Sequence, residues 1–400
     1  MRRTIQGLAA MAAASTLLLS ACGGNDNGGG GGGATTGGGE QPSTVKLGFM
    51  GDLGGENAGI VIPPFNGATM AVDEYNATNP TTKIQLIKYD SQGKPDQATA
   101  LAQQAIKTDK IVGLVGPAFS GESKQVDPIL EEAPIPSVSP SATNITLGQN
   151  GWKYWHRILA NDGVQGAGIA GYIARALKAK TVFVIHDNAE YSKGLAEVVI
   201  DTLKSKGVTV QTDVIDPQGS DYSSTVNKVK AVANLDAVFY GGYYAQLGRL
   251  LKQLREGGVK TRVLSGDGSL DVSLPKGAGG TNADGAVVGC PCNIDPTGVS
   301  SPASKTFADK YKAKFNTAPA IYSAEGYDSA TAFIEAIKAG NTTPEKINQY
   351  LSTISVQGIT KEIKFGPNGE PAGGDIYVYL FKGQTYTPLG NAKDAPAPPA

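Results

Sequence analysis

The 400-residue sequence predicts an α/β protein of two doubly wound parallel-sheet lobes joined by a multi-segment hinge. Three observations carry that expectation. Short runs rich in Val, Ile and Leu alternate with segments whose apolar residues recur at helical spacing, which is how buried strands alternating with amphipathic helices read. The alternation occurs in two series of similar length, each compatible with right-handed crossovers onto its own sheet. A body of roughly 350 residues is also large for one core.

The ends stand outside that body. Arg2 and Arg3 precede the apolar "LAAMAAASTLLL" (8–19), a stretch too short to cross a bilayer comfortably. It ends in Leu19, Ser20, Ala21 and Cys22, and this resembles the lipobox of bacterial lipoproteins. The resemblance implies a signal peptide over 1–21, cleavage before Cys22, and a lipid on the Cys22 thiol that anchors the protein to the cell membrane. Residues 22–44 are Gly-rich and read as a flexible tether with a reach on the order of 25 Å. The Pro/Ala-rich segment 391–400 reads as a disordered tail.

Within the body, strands are expected at 45–52, 83–90 and 111–117, with helices between them and another starting near Gly121. "IPSVSPSAT" (135–143) reads as a short strand running into a turn. A second series follows "WKYWHRILAND", with strands at 181–187, 208–215, 237–240 and 262–267 and helices between them. Long helices return near 301–316 and 323–340, and strand-like runs close the body at 361–365 and 375–381. The expected lobes are therefore interleaved: 45–160 with about 293–363, and 161–290 with about 366–390. Several crossings favour hinge closure over free rotation.

The chain carries 35 basic and 36 acidic residues, for a net charge of −1, and no basic run with interleaved aromatics. Nucleic acid is not an expected partner. Cys290 and Cys292, in "GCPCN", read as structural, either reduced or bridged. His156 and His186 are far apart in sequence, so neither a metal nor another cofactor is expected. The enzyme motifs of this architecture are missing: no GxSxG, no GxxxxGK[ST], and no GxGxxG after a strand.

Ligands of open parallel sheets sit beyond the carboxyl ends of the strands. Here those ends read "GPAFSGES", "PSATN", "HDNAEYSKG", "GGYYAQLG" and "SGDGSLD", a collection of hydroxyls, small residues, tyrosines and one isolated carboxylate. In "AVFYGGYYAQLGRLL" (237–251) two tyrosines occupy a strand-to-helix turn where Asp or Ser would cap better. From the stretch alone, a cover for the sheet edge and a ligand wall are equally good explanations.

The segments "VGPAFSGESKQVDPILEEAPIPSVSPSAT", "FVIHDNAEYSKGLAEVVIDTLKSKGV" and "DAVFYGGYYAQLGRLLKQLREGGVKTRVLSGDGSLDVSL" resemble the branched-chain amino acid-binding proteins of ABC importers. These have the type I periplasmic-binding fold, and the resemblance covers nearly all of 45–385. It implies a non-enzymatic, extracytoplasmic receptor, expected to be monomeric, that captures an amino acid and delivers it to permease subunits. It also implies roles. Ser120 and Thr143 would take the α-carboxylate, the Ser141 carbonyl and Asp267 the ammonium, and Ala142 would line the same turn. Tyr191 and Tyr243 would close over the ligand from the second lobe, with Gly241 and Gly242 keeping the strand mouth clear and Tyr244 structural. Phe119 and Ile60 would meet the side chain and favour an aliphatic one. A member of that family carries Glu where this chain has Asp267, one methylene shorter. A ligand sensor of the same fold, or a binder of an amide, urea-like or aromatic acid solute, are the alternatives.

Overall fold

A computed structural model describes residues 43–295 and 301–399. The expected signal peptide, Cys22 and nearly all of the tether lie outside these residues. The tether ends earlier than its composition suggests, because Ser43 already pairs with Thr82 and donates its N–H to the Thr81 carbonyl at 3.0 Å.

The first sheet is built from β1 (Ser43–Gly51), α1 (Ile62–Ala77), β2 (Thr82–Asp90), α2 (Pro95–Gln104), β3 (Gly113–Val115), α3 (Ser120–Glu132), β4 (Ser137–Ser139) and β5 (Trp155–Arg157). Its five strands run parallel in the order β2-β1-β3-β4-β5. The second begins with α4 (Asp162–Ala176), β6 (Thr181–His186), α5 (Glu190–Ser205), β7 (Thr209–Val214) and α6 (Ser223–Lys230). It continues through β8 (Ala237–Tyr240), α7 (Tyr244–Glu256), β9 (Arg262–Ser265), the single turn α8 (Leu274–Gly277) and β10 (Val287–Cys290). The chain then returns to the first lobe with α9 (Pro302–Phe315), α10 (Ser323–Lys338), α11 (Pro344–Leu351) and the ribbon β11 (Val356–Gln357) and β12 (Glu362–Ile363). A final crossing delivers β13 (Tyr377–Lys382) and β14 (Thr385–Asn391) to the second sheet.

That sheet, in the order β7-β6-β8-β9-β10-β13-β14, is parallel as far as β10 and antiparallel at β13 and β14. The parallel expectation therefore holds for the first sheet and fails at one edge of the second. A short turn at Gly383 joins β13 to β14, and only an antiparallel pair can be joined that way. Composition hid β14, whose Thr, Pro and Gly residues are partly exposed at the edge.

The C-terminal segment is also not the disordered tail its Pro/Ala content suggested. Residues 392–399 run along the second lobe, where Arg175 donates to the Ala392 and Ala395 carbonyls at 3.1 and 2.7 Å. Tyr172 donates to the Pro396 carbonyl and Arg262 to that of Pro399. The small side chains let the backbone approach these donors, and Ala392 and Ala395 are buried. Cys290 and Cys292 are bridged at the end of β10.

The first lobe is tied together by a close crossing of α1 and α10. A Cβ on Gly67 would fall 2.0 Å from the Ser323 carbonyl oxygen, and one on Gly326 2.1 Å from that of Pro64. Only glycine permits backbones that near. The crossing fixes Tyr322, which immediately precedes α10.

Asp127 on α3 is buried, accepts from the Ser137 hydroxyl at 2.9 Å and has no donor to its second oxygen. Burial pushes its carboxyl up to about 8. The folded protein then retains a proton that the unfolded chain loses near pH 4, so this contribution to stability is lost as pH rises toward 8. Buried His156, lowered to about 4 by desolvation, acts the other way below about pH 6.5. Denaturant titrations between pH 6.5 and 8.5 should show wild-type stability falling, with Asp127→Asn falling less. Parallel curves for the two proteins would remove Asp127 as the source.

Candidate functional site

The carboxyl ends of β3, β4, β6, β8 and β9 face one another across the gap between the lobes, and each contributes a group to it. Phe119 and Ser120 stand at the start of α3, whose first N–H groups have no intrahelical acceptor. Glu122 reaches back to the Phe119 N–H at 3.2 Å and holds this turn. Ser141, Ala142 and Thr143 form the turn after β4. Tyr191 lies in the first turn of α5, Tyr243 caps α7, and Asp267 opens a short 3-10 turn after β9.

Phe119, Ser120, Ser141, Tyr191, Tyr243 and Asp267 surround a single cavity together with Ile60 and Tyr322. Ala142 and Thr143 do not line it. Both are fully buried behind it, and the Thr143 hydroxyl has no hydrogen-bond partner. The cavity itself holds only about 10 Å³, room for one water at most. The three aromatic rings close it, with Phe119 and Tyr243 centroids 4.7 Å apart and Tyr191 and Tyr243 5.1 Å apart. A Cβ on Gly241 would meet the Ser192 carbonyl oxygen at 2.5 Å, so the glycine lets β8 reach its mouth beside α5.

Asp267 is 2% exposed and is gripped from both lobes. Tyr191 donates to one carboxylate oxygen at 2.6 Å, and Tyr322 donates to the other. The Asp267 N–H donates to the Gln165 side chain at 3.3 Å. Burial raises the Asp267 carboxyl, and the two tyrosine hydroxyls oppose that rise. Burial likewise drives Tyr191 and Tyr322 well above the ordinary phenol range, and the neighbouring Asp267 charge adds to it, so both remain donors.

Asp162, at the start of α4, is a second buried carboxyl near Asp267. Its N–H donates to the Thr143 carbonyl at 2.8 Å, and its carboxyl is raised well above the usual range by burial and by Asp267, with the Thr143 hydroxyl and Arg157 opposing that rise. Arg157 stands behind the β4 turn, fully buried, donating to the Ala142 and Asn144 carbonyls at 3.1 and 2.9 Å while paired with Glu370.

The lobes also meet around the rim. Tyr244 donates to the Glu56 carbonyl at 2.9 Å and accepts from the Gly59 N–H, while Arg249 pairs with the Glu56 carboxylate. Lys124 pairs with Glu190 at 2.7 Å, and Asn144 donates to the Glu190 carbonyl. These contacts describe a closed arrangement. The second tyrosine of "GGYY" thus bridges the lobes, a role that its position in sequence did not reveal.

Sequence reasoning missed Tyr322, Asp162, Gln165 and Arg157. Tyr322 comes from the segment that returns to the first lobe, and its left-handed backbone, φ 60°, aims it back at Asp267. Ile321 and Tyr322 before a helix read as ordinary core. A buried Arg at a strand end, followed by "ND..Q", was the signal available for the other three.

Residues 44–385 match the profile described as periplasmic binding protein. The chain is 31% identical over 357 residues to a Leu/Ile/Val/Thr-binding protein of Salmonella typhimurium, covering 88% of this chain and 93% of that one. A leucine-binding protein of Thermotoga maritima superposes with a TM-score of 0.80 at 27% identity, covering 87% of this chain and 98% of that one. A branched-chain amino acid transporter substrate-binding protein of Streptococcus pneumoniae, solved in complex with isoleucine, gives 0.79 at 26% identity, covering 87% and 100%.

Proposed function

The chain belongs to the periplasmic binding protein family, of the type I fold, and on that premise we propose that it is an extracytoplasmic receptor for an amino acid with an aliphatic, branched side chain, which it delivers to an ABC permease. In this reading Cys22 carries the lipid anchor and the receptor works as a monomer beside its permease subunits. The observation that carries the ligand class is the pairing across the cleft of one buried carboxylate, Asp267, with the hydroxyl and free N–H groups at the start of α3.

A zwitterion fits that pairing. The α-carboxylate goes to Ser120 and the α3 N-terminus, where the dipole favours an anion, with Thr143 behind. The ammonium goes to Asp267 and the Ser141 carbonyl. Ile60 and Phe119 meet the side chain. The closed cavity is smaller than any amino acid, so the lobes part to admit ligand, and reclosure is favoured when ligand bridges both. Micromolar affinity needs about 8 kcal/mol net, within reach of several charge-assisted bonds at roughly 1.5–3 kcal/mol each.

Calorimetry on ligand-stripped protein with leucine, isoleucine and valine against acetamide, urea and benzoate is the direct test. Binding of the first group alone supports the reading, and preference for a ligand without an ammonium overturns it. Tyr322→Phe should weaken amino acid binding about tenfold, the scale of one hydrogen bond to a charged group. Losing that donor leaves Asp267 raised further, so the pH at which affinity falls off should move upward. An unchanged pH profile would leave Tyr322 as packing alone.

A further inference from the structure

A cavity of about 260 Å³ lies among the segments that link the lobes, and it shares no lining residue with the cleft. Each of the three crossings supplies a wall: Ile158 after β5, Ile294 after β10, and Asp375 before β13. Its volume is just under the 300–1,000 Å³ common for ligand pockets, so an occupant would be a small metabolite.

Two ionic side chains of the first lobe, Lys361 and Glu325, line this space. The Lys361 ammonium makes no ion pair or hydrogen bond among the described residues; burial lowers it, while Glu325 and Asp328 both attract it from a distance. Glu325 is 6% exposed, and burial pushes its carboxyl up to about 7. An unpartnered ammonium and a desolvated carboxyl are costly to hold over one cavity unless something satisfies them. The remaining charges on the wall are both acidic and both engaged, Asp375 with Lys393 and Asp295 within its own surroundings. Between the charges the surface is mixed, with Ile158, Ile294 and Phe307 apolar and Asn293 and Thr360 polar.

We propose that this hinge cavity is a second ligand site, taking a small zwitterion whose carboxylate meets Lys361 and whose ammonium meets Glu325, with an apolar body between. Because its walls belong to the crossings, occupancy is coupled to lobe closure and hence to affinity in the cleft.

The test uses β-aminoisobutyrate, a zwitterion that is not an α-amino acid, with isobutyrate and isobutylamine as singly charged probes on the same carbon skeleton. In the Asp267→Ala protein, whose cleft is impaired, β-aminoisobutyrate should raise the melting temperature by about 2 °C at a tenfold excess over its dissociation constant. The two controls should give less than half of that. Adding Lys361→Met should abolish the shift. No shift with the zwitterion, an equal shift with isobutyrate, or a shift that survives Lys361→Met each overturns the proposal. If the Lys361 variant does not fold, methyl spectra of the Asp267→Ala protein decide: perturbation centred on Ile158 and Ile294 supports the site, and perturbation at Ile60 instead overturns it. Failure of the cleft reading would appear separately, as undiminished leucine affinity in Asp267→Ala.

Discussion

Asp267→Ala should lower amino acid affinity by about 2–5 kcal/mol, roughly thirtyfold to several thousandfold. The carboxylate is 2% exposed and is the one acidic group among the described residues lining the closed cavity, so an ammonium placed there would lose its counter-charge where little water can replace it. The Tyr191 and Tyr322 hydroxyls would also lose their shared acceptor, and with it one of the hydrogen bonds that span the lobes. Asp267→Asn separates these effects, because it retains an acceptor and removes only the charge. Calorimetry should find Asn nearly as damaging as Ala if charge dominates. Wild-type affinity in Asp267→Ala would end the assignment of this residue to the ammonium.

Arg157→Met should be the most destabilising of these substitutions, at about 3–5 kcal/mol, the usual cost of breaking a buried pair from one side. The guanidinium is fully buried, stacks 4.9 Å from the Trp155 ring centroid, and donates from Nε to Glu370 at 2.8 Å. Its other amino group supports the Ala142 and Asn144 carbonyls. Methionine replaces the stem but leaves two buried carbonyls without donors. Glu370→Gln should cost markedly less, since Glu370 is partly exposed and water can replace its charge. Denaturant midpoints would rank the two, and equal losses would show that the ion pair matters more than the carbonyl support. Because that support sits directly behind Thr143, Arg157→Met protein that folds should also bind more weakly.

The strand ends were legible because they combine two local signals, an apolar run and a break in it. That logic, with the family resemblance, singled out Phe119, Ser120, Ser141, Tyr191, Tyr243 and Asp267, and the fold brings all six to one cavity. Ala142 and Thr143 came from the same turn but lie behind the wall, since a turn presents only part of its residues to any one side. Edge elements were harder to read. β14 is held by its ladder to β13, and residues 392–399 by side-chain donors of Arg175, Tyr172 and Arg262 on their carbonyls; a backbone group can bond whatever side chain it carries.

Tyr322 marks the same boundary within the site. It lies 55 residues after Asp267 in sequence, on a segment that reads as core, and only the α1–α10 crossing and a left-handed backbone bring its hydroxyl to the carboxylate. Asp267 is thus accompanied by a donor that no local pattern announces.

By itself the sequence determined the alternation of strands and helices, the two-lobed plan and the chemistry at each strand mouth, because periodicity and side-chain type act over a few neighbouring residues. The tertiary structure alone decided which mouths share a cavity, which tyrosine serves Asp267, and where the three crossings leave Lys361 and Glu325 over an open space. Those outcomes depend on contacts between residues distant in sequence, whose energies are set by burial and by the partners that folding supplies.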